Sequence, residues 1–210
     1  MTAGQMLAAL SVVLIMAATQ TPATASLFFR EDWATTPAAL PITQDHVATP
    51  GLVLGLLGPG AGRVKKSHHD RPADDPYYVW SGEAGAAWVV SLSRPDALVD
   101  LTVPEARVRW RARQTGFRRL HLVVQIGDSS WLVSDQSDEA SGSWREHEFR
   151  IRTVQWRELD VVRVVEGDPV PAPDLTRVLA VGFTDLMRGA GTPASSRLDW
   201  IEVYGRARPR

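Results

Sequence analysis

The stretch KKSHHDRPADDPYYVW, residues 65–80, gathers two lysines, two histidines, three aspartates, two tyrosines and a tryptophan. Three chemistries could use such a set. The first is metal binding. His68 and His69 are adjacent, so in an extended chain they point to opposite sides and do not share one ion. His69 with Asp70 or Asp74 would need a third ligand from elsewhere in the chain, so the zinc signal is weak. The second is acid–base catalysis. Glycoside hydrolysis needs two carboxyls about 5–10 Å apart, and Asp70, Asp74 and Asp75 supply the groups. A β-eliminating lyase needs Tyr and His near a cation that neutralises the substrate carboxylate, and Lys65, Lys66 and Arg71 carry that charge. As an enzyme, the protein would draw on His69, Asp70, Asp74 and Asp75. The third chemistry is sugar recognition, where aromatic rings stack on a pyranose and polar groups bond its hydroxyls. His68, His69, Asp74, Asp75, Tyr77, Tyr78 and Trp80 offer this mixture. On a strand Tyr78 and Trp80 share a face and would form one platform. The plain alternative places both rings in the core and leaves the acids as a solvated loop.

The elements that must position these groups are strands. In ARVRWRARQ the residues Val108, Trp110 and Ala112 alternate with Arg107, Arg109, Arg111 and Arg113, and in RRLHLVVQIG the set Leu120, Leu122, Val124 and Ile126 faces one way. A period of two over this length means half-buried strands. Turn signals at Thr115-Gly116 and at 127–130 predict an antiparallel meander of 105–114, 118–126 and 130–134. Further strands are predicted at 27–31, 52–57, 77–80, 86–92, 144–151, 177–183 and 198–204. The acidic stretch 134–144 reads as a turn, and 165–176, with three prolines, as a surface connection. About ten short strands without an internal repeat predict an all-β fold, a jelly-roll-like antiparallel β-sandwich. Trp80, beside a Pro- and Asp-rich loop, is the tryptophan expected at the surface; Trp88, Trp110, Trp131 and Trp200 are expected in the core.

Residues 6–18 form an apolar run followed by a small-residue cleavage pattern ending at Ala25, which reads as a secretory signal over 1–25. The run is shorter than the roughly 20 residues of a spanning helix. The expected location is therefore secreted or periplasmic, with no membrane association after cleavage near Ala25. A single domain is expected over 26–205, followed by a disordered basic tail at 206–210. The chain has no cysteine, so neither disulfides nor a lipid-modified cysteine enter, and a formal net charge of −1 argues against nucleic acid. All but two of the 23 basic residues are arginine, whose planar fork suits carboxylates and phosphates.

The expected mature chain begins SLFFREDW and closes SSRLDWIEVYG. These ends resemble those of galactose-binding-like β-sandwich domains and the related carbohydrate-binding modules, here in a bacterial secreted protein. The resemblance implies that first and last strands pair, and that the partner is an extracellular glycan. It also implies a structural calcium held between an acid of the first strand and the aspartate of the last, here Glu31 or Asp32 with Asp199. Calcium takes six to eight oxygens, so loop carbonyls would have to complete the shell. Glycan recognition through 65–80 is the favoured reading. A small glycan-degrading enzyme, a glycoside hydrolase or polysaccharide lyase, stands second, and an envelope or structural protein binding another protein third.

Overall fold

The computed structural model describes residues 24–69, 75–81, 85–187 and 194–210. Asp70, Asp74, Arg71 and most of the expected signal segment lie outside these residues. The strands are β1 (Ser26–Glu31), β2 (Val53–Leu57), β3 (Lys65–Ser67), β4 (Tyr78–Trp80), β5 (Trp88–Ser93), β6 (Ala97–Asp100), β7 (Arg107–Gln114), β8 (Leu120–Ile126), β9 (Ser130–Asp138), β10 (Arg145–Arg150), β11 (Trp156–Asp160), β12 (Val165–Val170), β13 (Val178–Asp185) and β14 (Ser196–Pro209). Every pairing among them is antiparallel.

One layer holds β10, β7, the first part of β14, β1, β4 and β3. The other runs β12, β11, β9, β8, β13, β5 and β2, with β6 beside β13. The alternation seen in the sequence builds the contact between them. Val108, Trp110 and Ala112 of β7 point inward with Leu120, Leu122 and Val124 of β8, all fully buried in one apolar cluster. Phe183 of β13 sits at its centre, edge-on to Trp33, Trp88 and Trp110 at ring separations of 6.4, 5.8 and 6.4 Å. Such aromatic pairs add about 0.5–1.5 kcal/mol each beyond the area they bury. The fold is the jelly-roll-like antiparallel sandwich read from the alternation, and first and last strands pair, with Glu31 opposite Ile201.

Four expectations change. The meander breaks at its first turn: β8 pairs β9, but β7 belongs to the opposite layer between β14 and β10. Period two marks a strand's faces, not its neighbour. The supposed surface connection contains β12, an edge strand paired only with β11 and carrying Pro169, a position an edge tolerates. Within the acidic stretch, β9 continues to Asp138, whose buried carboxylate accepts bonds from Trp110 Nε1 (2.9 Å) and Arg145 (2.6 Å). Finally, the chain does not fray at Arg206. β14 runs on to Pro209 beside β6, and Arg206 and Arg208 reach the Asp100 carboxylate at 2.6 and 2.8 Å. Burial alone would raise the Asp100 carboxyl, but the bonds from Thr102, Arg206 and Arg208 outweigh it and hold it well below the usual carboxylate range.

Candidate functional site

Strands β3 and β4 form a short hairpin whose base carries the chemistry singled out above. Asp75 closes it: its Oδ2 accepts the His69 backbone N–H at 2.9 Å and lies 2.8 Å from His69 Nδ1. Tyr78 Oη is 3.1 Å from the same nitrogen. Burial raises the Tyr78 hydroxyl above its ordinary value, with Arg197 and Ser67 pulling the other way. His68 turns to the opposite side, where its ring stacks on Tyr77 at 4.0 Å. Tyr77 in turn covers the buried ammonium of Lys66, which donates to the carbonyl of Thr36.

His69, Asp75 and Tyr78 line a pocket of about 160 Å³ with three residues from distant segments: Arg113 of β7, Arg197 of β14 and Trp144. Trp144 directly precedes β10. Its loop is fastened to the end of β7, where Ser141 and Gly142 both donate backbone N–H groups to the Gln114 carbonyl at 3.2 Å. The Trp144 ring lies 5.4 Å from Tyr78 and has the Arg111 guanidinium 5.5 Å away. Trp80 lies beside the pocket, with the Lys65 ammonium 5.6 Å and the Arg197 guanidinium 5.8 Å from its ring. Of the eight tryptophans only Trp80 and Trp144 are not buried.

The site thus keeps His69, Asp75 and Tyr78 together and places His68 and Tyr77 on the other side of the hairpin. Tyr78 is only 1% exposed, so its ring offers no face for a sugar to stack on. The expected Tyr78–Trp80 platform is therefore not formed; the accessible rings are Trp144 and Trp80. Arg113, Arg197 and Trp144 were not singled out from the sequence. Arg113 is the last of the alternating arginines and Arg197 lies within the closing SSRLDW motif. Only strand pairing brings them to the hairpin.

Glu31, Asp32 and Asp199 do not fit a calcium ion. The fully buried Glu31 carboxylate accepts backbone N–H bonds from Trp33, Ala48 and Thr49 at 2.8, 2.7 and 2.9 Å. Donors aimed at it in this way repel a cation. Asp32 points outward onto Arg30, and Asp199 pairs with Arg111 at 2.7 Å. Among the described residues no three metal-ligating side chains converge.

A larger groove, about 840 Å³, lies at the other end of β7 between the 101–107 and 150–156 segments. Part of its charge is paired, with Glu148 taking both Arg107 (3.6 Å) and Arg150 (3.0 Å), and its tryptophan, Trp156, is buried. Large as it is, the groove offers no accessible indole for a sugar ring to stack on, whereas the small pocket has Trp144.

No family model matches the chain, and no curated protein matches it. Among solved structures, it is similar to the family 11 carbohydrate-binding module of a cellulosomal cellulase of Clostridium thermocellum, at 13% identity and a TM-score of 0.48 over 82% of this chain and 97% of that one. The same kind of module from that organism, in complex with a β-1,3-1,4-mixed-linked tetrasaccharide, gives 13% identity and a TM-score of 0.46 over 82% and 98%. An exo-β-agarase gives 9% identity and a TM-score of 0.43 over 83% of this chain and 25% of its own.

Proposed function

We propose that this chain is an extracellular carbohydrate-binding β-sandwich protein whose ligand seats in the pocket of His69, Asp75, Tyr78, Arg113, Trp144 and Arg197. The observation that carries the reading is the convergence there of a partly exposed tryptophan with five hydrogen-bonding side chains, the six together drawn from four separate segments. A sugar ring needs that pairing: an apolar face to stack on and directed polar groups around its rim. At about 160 Å³ the pocket is smaller than the ~300–1,000 Å³ typical of drug-sized ligands, so it suits one ring or chain end. The rest of a glycan would lie across Trp80.

A second reading has one observation in its favour. His69 Nδ1 is held by Asp75 with the Tyr78 hydroxyl beside it, and two arginines stand in the same pocket. Held through Nδ1, the imidazole keeps Nε2 as its second nitrogen for proton transfer, and the arginines could neutralise a substrate carboxylate. That is the equipment of a polysaccharide lyase.

A polysaccharide panel separates the two, following retention of the protein together with released reducing and unsaturated ends. Retention without products is expected. Unsaturated ends that disappear with His69→Ala would establish the lyase reading, and neither retention nor products would remove both.

A further inference from the structure

Deepening the glycan reading, and resting on it, we propose that the pocket takes an acidic sugar, its carboxylate or sulfate group seated between Arg113 and Arg197. The registers place Lys65 opposite Trp80, Trp80 opposite Arg197, and Arg197 opposite Arg113, so one row crosses β3, β4, β14 and β7. Side chains directly opposite on antiparallel strands project to the same face. The row is therefore three cations and a tryptophan on a single surface.

The rest of that face is charge-balanced residue by residue. Arg30 meets Asp32 and Glu202 at 2.6 Å each. Arg109 meets Glu146 at 2.6 Å and Glu202 at 3.3 Å, and Arg111 meets Asp199 at 2.7 Å. Arg107 is paired with Glu148. In this row the pattern stops: Lys65, Arg113 and Arg197 form no ion pair with any described carboxylate. The one acid in the pocket, Asp75, is committed to His69.

The unpaired arginines are not simply solvated. The Nε atoms of Arg113 and Arg197 and the indole Nε1 of Trp80 are all shielded from solvent without a hydrogen-bond partner. Donors left unpaired at a shielded position are costly, and clustering of three at one pocket calls for an acceptor from outside. Two guanidinium groups side by side repel each other, and an anion between them removes that repulsion while satisfying their N–H groups. The planar fork matches a carboxylate or sulfate edge, and Trp144 and Trp80 are placed to stack on the ring that bears it.

The test is calorimetric titration of the chain with three oligosaccharides of matched length: an oligouronate, a sulfated galactan and a neutral β-glucan. The variants are Arg113→Gln, Arg197→Gln and, as a control on the same face, Arg109→Gln. The acidic ligands should bind at least tenfold tighter than the neutral one. Loss of one charge-assisted contact should cost roughly ten- to hundredfold in affinity at Arg113 or Arg197, with Arg109→Gln near wild type. A preference for uronate assigns a carboxylate, and one for the galactan a sulfate. Neutral glucan bound as tightly, with the arginine variants unaffected, would overturn the acidic assignment and leave the glycan reading standing. Failure to bind any of the three would remove the glycan reading as well. The wild-type comparison needs no variant to fold.

Discussion

Two buried ionisable residues hold the surroundings of the site, and each makes a distinct prediction. Lys66 is fully buried with one carbonyl, that of Thr36, and the Tyr77 ring for company. Burial lowers its ammonium below the ordinary value of 10.5. Between the lowered value and 10.5 the unfolded chain holds a proton that the folded chain has released, so this residue's contribution to stability rises with pH in that window. Unfolding free energies of wild type and Lys66→Met, followed from pH 7 upward, should diverge in the wild type's favour on approach to 10.5. Parallel curves would show that Lys66 stays protonated in the fold. Glu31 anchors the 43–49 loop through Ala48 and Thr49 and also holds Trp33, whose φ of 59° lies in the left-handed region that bulky side chains avoid. Hydrogen bonds to a charged group contribute about 1.5–3 kcal/mol each. Glu31→Gln keeps an acceptor for some of them, and a loss of about 2–4 kcal/mol is expected, read as a lower urea midpoint. The loss should be the same with calcium or a chelator. A midpoint that falls on chelation of the wild type would reinstate the ion.

At the scale of elements, β14 decides how the sandwich closes. It pairs β7, β1 and β4 in one layer and then β6 in the other. The change of layer comes at Gly205, where a Cβ would meet Val99 Cγ2 at 2.5 Å and the Asp100 carbonyl at 2.8 Å. Gly205→Val should therefore pry β6 from β14, lowering stability by about 1–3 kcal/mol as overpacking does and raising amide exchange in β6 and at 206–209. Unchanged exchange there would mean that the corner relaxes freely. The sequence carried much of this level of organisation. The alternation of β7 and β8 marked both strands and their inward faces, and the two terminal motifs matched the pairing of β1 with β14. Three-residue β3 and four-residue β6 are too short for a period to register, and β11 is predominantly polar at Arg157, Glu158 and Asp160. The pocket was half legible for a related reason. His69, Asp75 and Tyr78 lie within ten residues and advertise themselves by composition. Arg113, Trp144 and Arg197 meet them only through β-pairing and a loop pinned by the Gln114 carbonyl, neither of which leaves a local signal.

At the scale of the whole molecule, ligand binding turns on which end of β7 faces the glycan. One end carries the small pocket with Trp144 and neighbouring Trp80; the other carries the large groove with Trp156. The remaining tryptophans are buried in or against the core, so the eight indoles form a built-in map of the protein. A nitrogen–proton NMR titration of the indole Nε1–H signals with an oligosaccharide chosen from the panel reads that map directly. Shifts at Trp144 and Trp80 that saturate together are expected, with Trp33, Trp88 and Trp110 unmoved. Saturable shifts at Trp156 with Trp144 and Trp80 silent would contradict the proposed site and place the ligand in the groove at the opposite end.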